Sequence, residues 1–248
     1  MCTLILGYES GEGGGLWVAA NRDERYGRPA LPPFLWPKSK IRILAPRDEL
    51  AGGTWIGFNA EGVFAGITNR FGACLIPGAP SRGELVLRAL ECRSADEARI
   101  FFQTAEPQLY SGFNLVVVDR RSAFVMEFEG SMREFRTLGA GIHIVTERSF
   151  GKGGEPRETR VRRGIAEPLD MDGMRQLLSI HSEGFGDGTC LHLDELDYGT
   201  RSSMIVRLDD SWSIESAHFA EGHPCRASFR DISGLFSSLD PRYFSGFP

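Results

Sequence analysis

The residue with the most chemistry to offer stands second in the chain. Cys2 follows Met1, and methionine aminopeptidases remove the first residue when the next side chain is small. A cysteine freed in this way carries a thiol and an α-amine on one residue. The amine, with an ordinary pKa of roughly 8, is close enough to neutrality to act as a general base. The thiol, at about 8.5, is partly ionised and strongly nucleophilic. Nucleophile and base for acyl transfer would then come from the same residue. A second-position cysteine also arises by chance and merely opens a strand, so the residues around it must carry the case.

The elements that would position it are two strands. Thr3–Tyr8 and Leu16–Asn21 are short and apolar, and between them lies the glycine-rich run Gly11-Glu12-Gly13-Gly14-Gly15, which reads as a hairpin loop. Its spacing fits neither dinucleotide-binding nor P-loop patterns, and a strand rather than a helix follows, so no phosphate cradle is expected. The second strand ends in Asn21-Arg22-Asp23-Glu24. A tight hairpin returns that end beside Cys2. A carboxylate at Asp23 would hold the ammonium, and an arginine nearby would favour the thiolate. Because side chains alternate along a strand, Arg22 and Asp23 should not share a face.

Further along, residues 26–50 hold five prolines and read as a long surface loop, and Thr54–Asn59 and Val63–Thr68 as a second hairpin. Ser81-Arg82-Gly83-Glu84 and Ser94-Ala95-Asp96-Glu97 resemble capping boxes that open two helices between about 81 and 104. Strands resume over Phe113–Asp119 and Ala123–Phe128, then near 132–137 and 142–146. Helices follow near 157–167 and 171–182, the second capped by Asp170, and strands at Met204–Leu208 and Ser213–Phe219 close the set. Strands joined by tight hairpins require antiparallel pairing. The order is not β-α-β alternation, so an α+β architecture of antiparallel sheets with segregated helices is expected. Nothing divides the chain, and residues 1–248 read as a single domain.

Composition narrows the function classes. Of the 248 residues, 42% are hydrophobic and 25% charged, enough apolar material for a full core. A net charge of −5 argues against nucleic-acid binding. The basic run Arg160–Arg163 is short and reads as a solvated helix face. Cys2, Cys74, Cys92, Cys190 and Cys225 are odd in number and scattered, which fits free thiols in a reducing, cytoplasmic compartment. No secretory leader and no apolar run long enough to span a membrane is visible. The sequence leaves the oligomeric state open.

In this frame the chain resembles the NRDE family, which includes transport and Golgi organisation 2-like proteins. Met1-Cys2-Thr3-Leu4 opens the likeness, and Asn21-Arg22-Asp23-Glu24, Arg28-Pro29 and Trp36 continue it. Then come Arg47-Asp48, Gly52-Gly53-Thr54-Trp55-Ile56-Gly57, Thr68-Asn69-Arg70 and Ser81-Arg82-Gly83. Gly112-Phe113-Asn114-Leu115 and Tyr198-Gly199-Thr200-Arg201-Ser202-Ser203 complete it. The family is similar to the N-terminal-nucleophile hydrolases, and most like their bile-salt hydrolase and penicillin V acylase branch. The resemblance implies an αββα sandwich, two antiparallel sheets with helices on the outer faces. It also implies that Cys2 attacks the carbonyl of a small non-peptide amide or acyl compound. Asp23 would orient the cysteine, Asn69 would donate to the oxyanion, and Arg201 would be the late arginine near the thiol. Arg22, Trp55 and Glu147 are placed at the substrate, and no metal or cofactor is implied in that chemistry.

Two departures stand out. Ala20 occupies the place of an arginine in the hydrolase branch, and Thr146-Glu147 replaces the Ser-Asn of many members. An ionised Glu147 would repel an oxyanion unless it were protonated, paired with Arg148 or turned elsewhere. These departures keep a second reading open, a non-catalytic binding or trafficking protein for a hydrophobic metabolite such as heme or lipid, both proposed as cargo within the family.

Other clusters of residues could carry chemistry. Cys190-Leu191-His192, His223-Pro224-Cys225 and His181 hold potential metal ligands. Their spacing matches no zinc motif, so no metal is expected. Trp17, Trp36, Trp55 and Trp212 read as core and loop anchors, and His143 as a core histidine rather than a heme ligand.

Overall fold

The computed structural model describes residues 2–9, 14–73, 76–105, 110–130, 132–148, 155–182 and 186–239. Cys74, most of the glycine-rich run Gly11-Glu12-Gly13-Gly14-Gly15 and residues 149–154 lie outside that set.

The described chain forms two compact units, each assembled from separated stretches of sequence. The first draws on residues 2–28 and 140–234, the second on 29–139 and 235–239.

The first unit is a seven-stranded antiparallel sheet. Its strands are β1 (Cys2–Tyr8), β2 (Leu16–Arg25), β10 (Gly141–Thr146), β11 (His192–Leu193), β12 (Tyr198–Leu208), β13 (Ile214–Glu221) and β14 (Arg230–Asp231). They run in the order β10-β1-β2-β12-β13-β14, with β11 also paired to β12. The β1–β2 hairpin forms as the sequence indicates, in the register Cys2↔Arg22, Leu4↔Ala20 and Tyr8↔Leu16. Helices α3 (Pro156–Gly164) and α4 (Met171–Leu178) pack on one face. Val161, Met174, Leu177 and Leu178 there meet Ile5, Ala19, Ile144 and Ile205. As expected, Asp170 caps α4, accepting the Gly173 N–H at 2.7 Å.

β2 and β12 are longer than their apolar residues suggest. β2 continues through Asn21-Arg22-Asp23-Glu24 to Arg25, and β12 begins at Tyr198 rather than Met204. Hydrogen bonds make this polar extension tolerable inside the protein. The Asn21 side-chain amide donates to the Leu178 and Thr189 carbonyls, both at 2.8 Å, and Ser203 Oγ donates to Asn21 Oδ1 at 2.6 Å. Buried polar groups are retained where they are paired in this way.

The second unit is also a seven-stranded antiparallel sheet, in the order β3-β4-β5-β6-β7-β8-β9. Its strands are β3 (Ala30–Leu35), β4 (Ile43–Asp48), β5 (Ile56–Asn59), β6 (Phe64–Asn69), β7 (Phe113–Val118), β8 (Ala123–Glu129) and β9 (Met132–Thr137). Helices α1 (Gly83–Leu90) and α2 (Ala95–Thr104) cover one face, setting Val86, Ala89, Leu90 and Phe102 against Ala65, Leu115, Val117 and Met126. Short helix α5 (Ser233–Leu239) seats Phe236 against Phe58, with ring centroids 5.2 Å apart.

Residues 26–50 are a corrected expectation, since they contain two strands rather than a loop. Two of the five prolines, Pro32 and Pro33, sit on the edge strand β3, where the register slips between Leu31 and Phe34, and Pro46 lies within β4. An edge strand needs no N–H on its open side, so Pro32 and Pro33 are accommodated. The Ser94 cap forms, its Oγ accepting from the Glu97 N–H at 3.1 Å. The box proposed at Ser81 does not, because Arg82 occupies the cap position without a side-chain bond.

Candidate active site

Cys2 opens β1 and pairs directly with Arg22 on β2. Residues opposed in an antiparallel pair share a face, so the guanidinium lies on the side of the thiol. Arg22 is buried at 5% exposure. Burial raises the Cys2 thiol above its ordinary value, and the Asp23 carboxyl adds to the rise. A hydrogen bond from the Asp23 backbone and the charge of Arg22 act in the opposite direction.

Asp23 takes the other face, as alternation requires. Thr200 lies opposite it on β12 and donates its hydroxyl to Asp23 Oδ1 at 2.6 Å. The Tyr198 hydroxyl donates to the Asp23 carbonyl at 2.7 Å. Burial lifts the Asp23 carboxyl to about 6, against the lowering effects of Arg157 and the Thr200 hydrogen bond. Tyr198 is likewise raised, by burial first and then by the acidic groups around Cys2 and Asp23.

Glu147 follows β10 directly and is 2% exposed. Its Oε2 accepts from Arg157 Nη1 at 2.7 Å, while Arg148 Nε is 3.8 Å from Oε1. Arg157, on the first turn of α3, is fully buried and also donates to the Gly186 carbonyl at 3.0 Å and to Thr3 Oγ1 at 3.4 Å. Of the alternatives open for Glu147, the carboxylate is paired, chiefly with Arg157. The pair's charges are felt at Asp23, so Cys2, Arg22, Asp23, Glu147 and Arg157 form one electrostatic cluster within the first unit.

Arg201 is the extra residue of a β-bulge. The register passes from Thr200↔Asp23 to Ser202↔Arg22 and leaves Arg201 without a counterpart. Bulges re-aim side chains. The Arg201 charge acts on Tyr26 and His223, whereas the arginine acting on Cys2 is Arg22. Asn69 and Trp55 belong to the second unit. Asn69 is half-buried at the end of β6, opposite Phe113. Trp55 packs on that unit's helix-facing core, and its carbonyl accepts from the Ile67 N–H at 2.9 Å.

Thr200, Tyr198 and Arg157 escaped the sequence reading. Thr200 and Tyr198 lie inside a run of the family likeness in which only Arg201 offered an evident role. Arg157 follows a glycine-rich loop and a proline, a context that gives no sign of a fully buried cation.

The fold is similar to those of solved amidases and acylases. An N-acylethanolamine-hydrolysing acid amidase orthologue from Caenorhabditis elegans matches 82% of this chain and 92% of its own, with a TM-score of 0.59 at 14% identity. Penicillin V acylase from Agrobacterium tumefaciens matches 94% of this chain and 86% of its own, with a TM-score of 0.52 at 12% identity. At such identities the likeness is one of fold.

The chain belongs to the Transport and Golgi organisation 2 family, whose sequence profile matches residues 1–167. The Bos taurus homologue of transport and Golgi organization protein 2 is 37% identical over 106 residues, 42% of this chain and 38% of that protein. The Homo sapiens homologue is 34% identical over 110 residues, 44% of this chain and 40% of that protein. The similarity thus spans well under half the length of these relatives.

Proposed function

We propose that the protein is an N-terminal-cysteine amidohydrolase or acyltransferase acting on a small non-peptide amide or acyl compound. The observation that carries this reading is the pairing of Cys2 with Arg22 and its hydrogen bond to the Asp23 backbone, on the two strands that open the fold. Removal of Met1 is the precondition, since the freed amine of Cys2 is the base.

The chemistry runs in two halves. The amine takes the thiol proton as sulfur attacks the carbonyl carbon, and Arg22 steadies the sulfur's charge. The tetrahedral intermediate collapses as the ammonium returns that proton to the leaving amine. The acyl group is left on Cys2 as a thioester, and water, or an acceptor amine or alcohol, then takes it with the α-amine again as base. Asp23 would hold the ammonium between these transfers, and Asn69 is proposed as donor to the oxyanion. Pairing with Arg157 supports a non-repulsive Glu147, because the buried carboxylate is matched by a buried cation. Arg201 and Trp55 remain proposed contributors on the strength of the family likeness. Turnover of a library of small acyl amides, abolished by Cys2→Ala, is the expected result. Turnover that survives the substitution would reject the reading.

A second reading rests on a different observation. A cavity of about 320 Å³ in the second unit is lined mainly by Phe101, Phe102, Tyr110, Phe113, Met126 and Phe128, with the charged Glu84, Arg88 and Arg133 also on its wall. Its size is at the lower end for small-molecule sites, and its lining suits a hydrophobic metabolite such as a lipid or heme. Absence of turnover, together with saturable binding of such a ligand that is abolished by Ala105→Trp, at another lining residue of this cavity, would favour the carrier over the enzyme. Among the described residues no helix is long and apolar enough to cross a membrane. A cytoplasmic location is proposed from the free thiols alone.

A further inference from the structure

His181, Cys190, His192 and Cys225 come from three separate segments of the first unit. His181 lies just beyond α4, Cys190 and His192 at the start of β11, and Cys225 in the turn after β13. One ligand atom from each lies within 4.8 Å of all the others. Cys190 Sγ is 3.6 Å from Cys225 Sγ, and His192 Nε2 is 3.4 Å from the first sulfur and 3.3 Å from the second. A tetrahedral zinc ion, with bonds of about 2.3 Å to sulfur and 2.0–2.1 Å to nitrogen, sets its ligand atoms about 3.3–3.8 Å apart. Three edges of such a tetrahedron are therefore close to their zinc-bound lengths already.

We propose that these four residues bind a structural zinc ion. The donor set is two thiolates and two imidazoles, which selects zinc among the common divalent metals. Four protein ligands leave no open position, so the site is structural rather than catalytic. The surroundings are built to orient the ligands. The His192 ring stacks on His223 with centroids 3.8 Å apart, and His223 Nε2 lies 3.5 Å from the Tyr26 hydroxyl, which donates to Asp194 Oδ1 at 2.6 Å. The backbone also holds the loop, since the Thr189 and Cys190 N–H groups both donate to the Ile180 carbonyl, at 2.9 and 3.0 Å. Binding displaces two thiol protons to solvent and leaves a neutral Zn(Cys)₂(His)₂ centre. The clamp would also reach the candidate active site. Leu191, between two ligands, donates its N–H to Thr200 Oγ1 at 2.8 Å, and Thr200 in turn holds Asp23.

The inference is independent of the proposed enzymatic activity. Its test is elemental analysis of the full-length protein purified under reducing conditions, followed by replacement with Co²⁺. About one zinc per chain is expected, and the cobalt form should show thiolate-to-metal charge transfer with intense tetrahedral visible bands. Cys225→Ser should lose both. His181 is exposed, so His181→Ala should keep the fold while weakening metal affinity more than about tenfold, as loss of a ligand should exceed the effect of losing an outer-shell partner. A metal-free protein without cobalt charge transfer would overturn the proposal. So would a Cys190–Cys225 disulfide in peptide maps of the protein as isolated, or metal affinity unchanged in His181→Ala.

Discussion

Asp23 gives the candidate site a measurable pH dependence. Its carboxyl is raised by burial to about 6 from an ordinary 3.8, so the folded chain holds the proton more tightly than the unfolded one. That contribution to stability is fully present below about pH 3.8 and is lost as the pH rises through about 6. Asp23→Asn keeps the acceptor for Thr200 and removes the titration. It should therefore be more stable than the parent at pH 7, by about 2–3 kcal/mol, and no more stable near pH 4. Urea unfolding at the two pH values checks this, and equal differences at both would contradict it. The same variant should lose acylation at Cys2, since the group proposed to hold the ammonium is gone. Arg22 is tested at the thiol. Its charge lowers the Cys2 pKa against the effect of burial, so Arg22→Gln should move the pH profile of Cys2 alkylation upward. An unchanged profile would remove Arg22 from the site.

Among the elements, the buried pair of Glu147 and Arg157 ties α3 to the end of β10. Replacing one partner leaves a buried charge unmatched, which costs about 3–5 kcal/mol. Arg157→Met should lower unfolding stability by that amount, and Glu147→Gln with Arg157→Met together should recover much of it. A loss in the double variant equal to that in the single would show the pair to be unimportant. These elements also mark how far the sequence could be read. The β1–β2 hairpin, helices α1 and α2 and strands β5 to β10 were legible because apolar alternation, helical spacing and turn residues all agreed. β3 and β4 were not, because Pro32 and Pro33 on the edge strand and Pro46 within β4 resemble the prolines of a loop. The first half of β12 was missed because Gly199-Thr200-Arg201-Ser202-Ser203 has no apolar period. It is a strand because its polar side chains are bonded within the protein. Of the candidate site, Cys2 and Asp23 were legible from adjacency in a hairpin, which needs only register. Arg157 and Thr200 were not, because their places depend on contacts between residues far apart in sequence. His181, Cys190, His192 and Cys225 were visible as potential ligands but matched no motif, since linear spacing cannot register ligands gathered from three segments.

For the whole molecule, the family profile and the chemistry do not cover the same ground. The family profile ends at residue 167, so it contains Cys2, Arg22, Asp23, Asn69, Glu147 and Arg157 but not Thr200, Arg201 or the proposed zinc ligands. The N-terminal hairpin is common ground for every part of the enzymatic reading, and the most direct measurement is made there. The protein purified from its native cell would be treated with an electrophilic acyl probe at neutral pH, then examined by intact mass and peptide mapping. The predicted result is a chain lacking Met1 that carries a single acyl group on Cys2, with Cys74, Cys92, Cys190 and Cys225 unmodified. Retention of Met1, or acylation spread evenly over the other thiols, would contradict it.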